Sequence, residues 1–68
     1  MQKFFVKDNQ IDGEIIEILG EDVNHIINVL RLKKEDEIQI CVVEDIIKNY
    51  IVKIVKYDKE KVTCKIIR

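Results

Sequence analysis

Apolar and polar residues alternate along most of this chain, and the alternation predicts short β-strands. In residues 37–43, one face of the segment carries Ile38, Ile40 and Val42. A period of two residues is typical of a strand that buries one face. Residues 14–19 alternate less cleanly, which indicates that both faces are partly covered, as in the wall of a small barrel. The pattern predicts five strands, at residues 3–6, 14–19, 37–43, 47–57 and 61–66.

A single segment has the spacing of a helix. Its apolar stripe follows the i, i+3, i+4, i+7 pattern and consists of Val23, Ile26, Ile27 and Leu30. Gly20 ends the preceding strand. Asp22 or Glu21 then places a negative charge where the free N–H groups and the positive dipole end of the helix lie. We expect the stripe to pack on a sheet, which leaves His25 and Val29 to face solvent or a partner.

The predicted order is β-β-α-β-β-β, so the fold class is mostly β with one helix. The last three strands follow one another at about ten-residue spacing, which is typical of an antiparallel meander. A curled sheet that closes into a small barrel, with the helix plugging one end, accommodates this order. Composition agrees, because the chain has fourteen Ile and eight Val but no Ala and only three Leu. β-Branched residues favour strands over a helical bundle.

Length and residue types exclude several classes of enzyme. A chain of 68 residues forms one domain, and its small core leaves no room for the pocket of a large organic cofactor. The chain has no Ser, and its two glycines cannot form a phosphate-binding loop. Cys41 and Cys64 lack CxxC spacing and have only His25 as a nitrogen partner, so we expect buried free thiols and no zinc site. We predict that the chain itself is not catalytic and holds no cofactor or metal.

The candidate chemistry is a basic, hydrogen-bonding corner at the end of the predicted helix. The net charge is −1, so nucleic-acid binding has to rest on a local patch. Arg31, Lys33 and Lys34 place three positive charges within four residues, and an Arg can grip a phosphate with two donors. The polar side of the helix adds Asn24, His25 and Asn28. The residues leave another interpretation open, since cations at a helix C-terminus also offset its dipole and keep a domain soluble.

The last two strands carry a second basic cluster, which Asp58 and Glu60 dilute. Its members are Lys53, Lys56, Lys59, Lys61 and Lys65. Single-stranded nucleic acid usually stacks on exposed aromatic side chains. Four are present, Phe4, Phe5, Tyr50 and Tyr57, and since one of the two Phe residues is expected in the core, few are free to stack.

Two segments resemble the N-terminal domain of RsmE-type ribosomal RNA methyltransferases. Residues 1–6, Met-Gln-Lys-Phe-Phe-Val, are similar to an Arg-Phe-Phe-Val start in that family. Residues 25–33 are similar to its His-Leu-x-x-Val-Leu-Arg-x-Lys motif, which an Asp and an apolar strand follow there. The matching residues of that motif are His25, Val29, Leu30, Arg31 and Lys33. The resemblance extends over essentially the whole chain.

The resemblance implies a PUA-like β-barrel, in agreement with the predicted order of elements. It also implies that the domain helps to dock 16S ribosomal RNA of the small subunit. In the family, a C-terminal knotted domain binds S-adenosylmethionine, methylates a uracil at N3 and forms a homodimer. We expect these 68 residues to lack that domain. The positions that we expect to face RNA are Lys3, Asn24, His25, Asn28, Arg31, Lys33 and Lys34.

Three positions depart from the family pattern. Lys3 replaces an Arg and lacks its planar two-donor fork, which weakens the case for a bidentate contact there. Glu35 stands where a Gly usually precedes Asp36, so the turn into the predicted strand at residues 37–43 is expected to change. Residues 44–48 replace a glycine-containing turn. None of the three lies in the helix motif.

The sequence therefore predicts an RNA-docking PUA-like domain that forms part of a cytoplasmic 16S rRNA uracil-N3 methyltransferase. The partners are small-subunit rRNA and the missing catalytic domain, and no membrane, since uncharged apolar stretches are four residues or shorter. The alternative is a protein-interaction module whose helix face, with His25 and Val29, docks on a partner such as that catalytic domain. A third interpretation, a stand-alone small enzyme, is not supported by any group of catalytic residues in the sequence.

Overall fold

The computed structural model describes the whole chain, Met1 to Arg68, apart from the side chain of Ile46. Two short helices join the strands: a 3-10 helix, Asp8–Gln10, and helix α1, which begins as Glu21–Asn24 and continues as a π-helical segment, His25–Val29. The strands are β1 (Lys3–Val6), β2 (Ile11–Asp12), β3 (Ile15–Leu19), β4 (Glu37–Val42), β5 (Asp45–Tyr57) and β6 (Lys61–Ile66).

All six strands belong to one sheet in the order β1-β4-β5-β6-β3-β2. The predicted meander of β4, β5 and β6 is confirmed, since both neighbouring pairs are antiparallel. Strand β1 pairs in parallel with β4. The sheet is a curled half-barrel, whose edge strands β1 and β2 are only four and two residues long. Irregularities between Cys41 and Val42 and between Ile54 and Lys56 favour this curl, because a bulge bends a strand and increases its twist.

The predicted fold class, mostly β with one helix, is confirmed. Strand β2 was not predicted, because two residues are too few to produce an alternation. The strand predicted at residues 47–57 begins at Asp45, so the turn before it falls on residues 43–44. Glu44 also holds the 3-10 helix, since its Oε1 accepts a hydrogen bond of 2.9 Å from Asp8 N.

The core lies between the concave face of the sheet and α1. The sheet supplies most of it, and the helix adds Val23 and Ile26, which are 3% and 1% exposed. Ile27 and Leu30 pack against the same cluster while partly buried, so the predicted apolar stripe of the helix is confirmed. The buried apolar side chains of the sheet are Phe4, Val6, Ile16, Ile18, Ile38, Ile40, Val42, Val52, Ile54, Val62 and Cys64.

The two cysteines are both free, but they differ in burial. Cys64 is fully buried in the core, and burial raises the pKa of its thiol to about 12. Cys41 is only half-buried, since it lies on the opposite face of β4 from Ile40 and Val42. The expectation of two buried thiols is therefore correct for Cys64 alone.

Substitutions on the buried and exposed faces of α1 should differ in how far they lower the free energy of unfolding. We expect Ile26→Ala to lower the free energy of unfolding by about 2–5 kcal/mol, because it leaves a cavity in a closed core. Val29, on the same helix, is 60% exposed, so Val29→Ala is expected to change it by about 0.5 kcal/mol or less. Denaturant unfolding of both variants checks this, and equal losses would contradict the placement of the helix.

Candidate nucleic-acid interface

The exposed face of α1 carries the polar residues that the sequence analysis singled out. Asn24, His25 and Asn28 are exposed. Asn28 Nδ2 donates a hydrogen bond of 2.7 Å to Asn24 Oδ1. This bond fixes the two amides side by side and leaves Asn24 Nδ2 as a donor and Asn28 Oδ1 as an acceptor for a ligand.

The second half of the helix is widened into a π-helical turn. Leu30 N donates to His25 O over 2.8 Å, and Leu32 N donates to Ile26 O over 3.0 Å. These bonds span five and six residues rather than the four of an α-helix. π-Helical turns are rare and occur frequently at functional sites. The sequence pattern did not predict the turn, because the apolar stripe has the same positions with or without it.

Arg31 follows this turn in a backbone conformation that glycine favours. Its φ is 55°, and it stands directly after the helix, where a left-handed Gly is common. An L-residue there costs roughly 1–2 kcal/mol relative to a right-handed conformation. The side chain is exposed, so packing does not compensate this strain. Backbone strain clusters at functional sites, so Arg31 is a candidate binding residue.

Lys33, Lys34 and Glu35 lie in a turn that is anchored to β5. Lys33 N donates to Asp36 Oδ2 over 2.8 Å, and Glu35 N donates to Ile54 O over 2.8 Å. Glu35 has a φ of 77°, the conformation for which glycine is suited. The turn thus keeps a left-handed residue although Glu replaces the expected Gly. The side chains of Lys33 and Lys34 are exposed beside Arg31 in sequence.

A cavity of about 630 Å³ lies between β1 and the first turn of α1. It brings together three predicted site residues, Lys3, Asn24 and His25. The ring of Phe4 lies beneath His25 in an edge-to-face arrangement, with centroids 6.1 Å apart. The remaining lining residues are Phe5, Glu21 and Asp22. Phe4 is therefore the core aromatic, while Phe5 is 57% exposed and available for stacking.

Ion pairs divide the cations of the chain into two groups. Most of the second basic cluster is compensated on the sheet, where Lys53, Lys61 and Lys65 lie 3.2, 3.1 and 4.0 Å from Glu35, Glu17 and Glu14. The other two pairs are Lys48–Asp8 and Arg68–Glu37. Among the described side chains, no carboxylate lies within 4 Å of the cationic groups of Lys3, Arg31, Lys33 or Lys34. All the cations that were predicted to face RNA are therefore without an ion-pair partner among the described side chains.

A second cavity, of about 470 Å³, lies on the other side of the helix. It brings Asn24 and Asn28 next to Tyr57 and Lys59, where β5 ends. The remaining lining residues are Val23, Ile27 and Asp58. Sequence reasoning missed Tyr57 and Lys59 as site residues. The sequence did single out Tyr57 as one of the few aromatic residues that could be exposed. Nothing in the neighbouring sequence, however, places it against a helix about thirty residues earlier.

The loop from β5 to β6 is held by the carboxylate of Asp58. Its Oδ1 accepts hydrogen bonds from Glu60 N and Lys61 N, at 2.7 and 3.0 Å. These backbone hydrogen bonds, aided by the charges of Lys61 and Lys56, lower the pKa of Asp58 below the usual 3.8. On the next strand, the hydrogen bond from Lys61 to Glu17 raises the pKa of the Lys61 amine.

The loop is expected to respond to acid in a defined range. Because the pKa of Asp58 is lower when folded, its stabilising effect is fully present above pH 3.8 and is lost as the pH falls through the lowered value. The amide resonances of Glu60 and Lys61 should therefore titrate with a midpoint below 3.8. Asp58→Asn keeps an acceptor oxygen and removes this titration. A midpoint at or above the usual value would contradict the hydrogen bonding.

The strain at Arg31 predicts an unusual response to substitution. We expect Arg31→Gly to leave the free energy of unfolding unchanged or raise it by up to about 1 kcal/mol, because glycine accepts the positive φ at an entropic cost. Arg31→Ala is the matched control, since it removes the charge and keeps the strain. If denaturant unfolding finds Arg31→Gly less stable than Arg31→Ala, the left-handed conformation is contradicted.

The described residues contain no group of three or more His, Cys, Asp or Glu side chains placed to hold a metal ion. None of the described helices has the length and apolar character needed to cross a membrane.

Comparison with known proteins places the chain beside RNA-modifying enzymes. Residues 18–67 match the sequence profile of the RNA methyltransferase PUA domain. No curated protein sequence matches. A solved structure of a hypothetical protein shares 30% identity over 98% of this chain, with a TM-score of 0.84.

Two further solved structures share the fold at lower identity. A putative methyltransferase from Legionella pneumophila, with bound S-adenosylmethionine, has 19% identity over 94% of this chain and a TM-score of 0.75. A ribosomal RNA small subunit methyltransferase E from Neisseria gonorrhoeae, bound to S-adenosylmethionine, has 21% identity over 97% and a TM-score of 0.74. The chain spans only 26–28% of the length of these three solved chains.

Proposed function

The chain belongs to the RNA methyltransferase PUA-domain family, and on that premise we propose that it docks RNA for a methyltransferase. The RNA-facing residues are those around the exposed side of α1: Lys3, Asn24, His25, Asn28, Arg31, Lys33 and Lys34. S-Adenosylmethionine binding and methyl transfer are assigned to a separate catalytic domain, in keeping with the 26–28% of each solved chain that these residues span.

The observation that carries the proposal is the state of Arg31. Its guanidinium is exposed and has no carboxylate within 4 Å among the described residues, while its backbone is held at a φ of 55°. Phosphate oxygens are the ligands that a planar two-donor fork fits best. Lys33 and Lys34 add sequence-independent attraction to the RNA backbone.

The remaining residues of the interface suit bases rather than phosphates. His25 and the paired amides of Asn24 and Asn28 offer hydrogen-bond donors and acceptors. Phe5 provides an exposed ring in the cavity beside them, and sequence-specific RNA recognition commonly uses unstacked bases on such rings. Glu21 and Asp22 line the same cavity and repel phosphates, so the backbone of the RNA is expected to pass on the Arg31 side.

The substrate that we propose is 16S rRNA of the small subunit, with methylation at N3 of a uracil. The motif match of residues 25–33 supports this choice, as does the shared fold of the ribosomal RNA small subunit methyltransferase E from Neisseria gonorrhoeae. The parent enzyme would be a cytoplasmic homodimer that acts in ribosome biogenesis.

Charge reversal at Arg31 tests the docking function. We expect Arg31→Glu to weaken binding of a small-subunit rRNA hairpin about tenfold or more, because a phosphate contact is replaced by repulsion. Lys65→Glu makes the same change of charge on the sheet, where Glu14 lies 4.0 Å from Lys65, and should have a much smaller effect. Titration of the isotope-labelled chain by NMR, at low salt, measures both affinities and maps the perturbed amides.

Salt dependence provides a second readout in the same experiment. With three phosphate contacts, raising monovalent salt from about 50 to about 200 mM should weaken binding roughly 20- to 40-fold. Equal affinities for Arg31→Glu and Lys65→Glu, with unperturbed amides in residues 24–34, would overturn the proposal. That result would favour the protein-interaction alternative, for which Val29, 60% exposed on the same helix, provides an apolar contact.

A further inference from the structure

The cavity between α1 and the end of β5 has the construction of a binding site for a flat, partly polar group. Its volume of about 470 Å³ lies within the roughly 300–1,000 Å³ of small-molecule sites. Val23 and Ile27 form an apolar wall on the helix, and Tyr57 lies across from them at the end of β5. The Tyr57 side chain is 44% exposed, so one part of it is held by the protein and the rest is free to stack.

The polar part of the cavity offers one donor next to one acceptor. Asn28 Nδ2 is bonded to Asn24 Oδ1, and Asn24 Nδ2 and Asn28 Oδ1 are the two amide atoms that make no hydrogen bond within the described residues. The hydrogen-bonding edges of nucleobases carry donors and acceptors side by side. The amide pair therefore matches a base edge, whereas an apolar peptide side chain would leave these two unbonded atoms without a hydrogen-bond partner.

Of the two charged residues at the cavity, Asp58 and Lys59, the lysine is the one that can bind a phosphate. Among the described residues, no carboxylate lies within 4 Å of the Lys59 amine, so this cation can bind a phosphate. The adjacent carboxylate of Asp58 is engaged by the backbone N–H groups of Glu60 and Lys61. These bonds hold the loop in which Lys59 lies.

We propose that this cavity binds one unstacked nucleobase of single-stranded RNA. The base stacks on Tyr57, its edge meets Asn24 and Asn28, and the phosphate beside it pairs with Lys59. The inference rests on the proposed docking function and extends it to a second nucleotide subsite. Asn24 lines both cavities, so an RNA strand that crosses the exposed side of α1 can occupy the two subsites with neighbouring nucleotides.

The test compares variants of Tyr57 with a single-stranded small-subunit rRNA oligonucleotide as the probe. We expect Tyr57→Ala to weaken binding about fivefold or more, because it removes a base-stacking ring, and Tyr57→Phe to bind as the wild type does. Lys59→Gln should flatten the salt dependence by about one phosphate contact. Lys56→Gln is the matched control, since Lys56 is exposed and does not line the cavity.

A set of oligonucleotides with one abasic nucleotide, moved along the strand, identifies the bound base. At one position, the loss of the base should weaken wild-type binding and leave Tyr57→Ala unaffected, because both changes remove the same stack. Thermal unfolding confirms that each variant is folded before its affinity is compared.

The outcomes separate this inference from the docking function. If Arg31→Glu loses RNA binding while folded Tyr57→Ala binds as the wild type does, the subsite is overturned and docking stands. If the wild-type chain does not bind the oligonucleotide at all, both fail. The subsite is also overturned if Tyr57→Ala weakens binding by the same factor at every abasic position. In that case there is no position at which the effect of the substitution vanishes.

Discussion

The packing of one helix stripe on the concave face of the sheet determines everything else about the candidate interface. Val23 and Ile26 are buried against strands from both halves of the chain, and each such side chain contributes about 1.5–3 kcal/mol when fully buried. Since the helix has only nine residues, it is too short to be stable alone. Burial of this stripe therefore both forms the helix and fixes which side of it faces outward, with Asn24, His25 and Asn28.

Electrostatics then distinguishes two surfaces of a chain that is almost neutral overall. Lysines of β5 and β6 form ion pairs within 4.0 Å with glutamates that lie one or two positions along the chain from their register partners. Such exposed pairs add little stability, but they cancel charge locally. The cationic groups of Arg31, Lys33 and Lys34, after α1, have no carboxylate within 4 Å among the described residues, so no ion pair cancels their charge. A net charge of −1 is therefore compatible with a locally basic surface.

Much of the fold could be predicted, because its strands and helix bury one face each and so impose periods of two and 3.6 residues. The meander and the helix stripe are confirmed, while β2 escaped prediction because Ile11 and Asp12 form only one pair of positions. The left-handed residues Arg31 and Glu35 could not be recognised, since neither is the glycine that usually marks such a conformation. For the candidate site, the positions around α1 follow from a motif and a helix face, and their contact with RNA stays a prediction.

The sequence by itself determined the five longer strands and the helix, the buried side of the helix and of the regular strands, and the cluster of polar and cationic residues at the end of α1. These features are local, since each depends on residues within a few positions of one another. Only the tertiary structure decided which lysines are neutralised, that Lys3 meets His25 at one cavity and that Tyr57 meets Asn28 at another. The physical reason is that strand order and register, which depend on the packing of the whole core, set the contacts between distant residues.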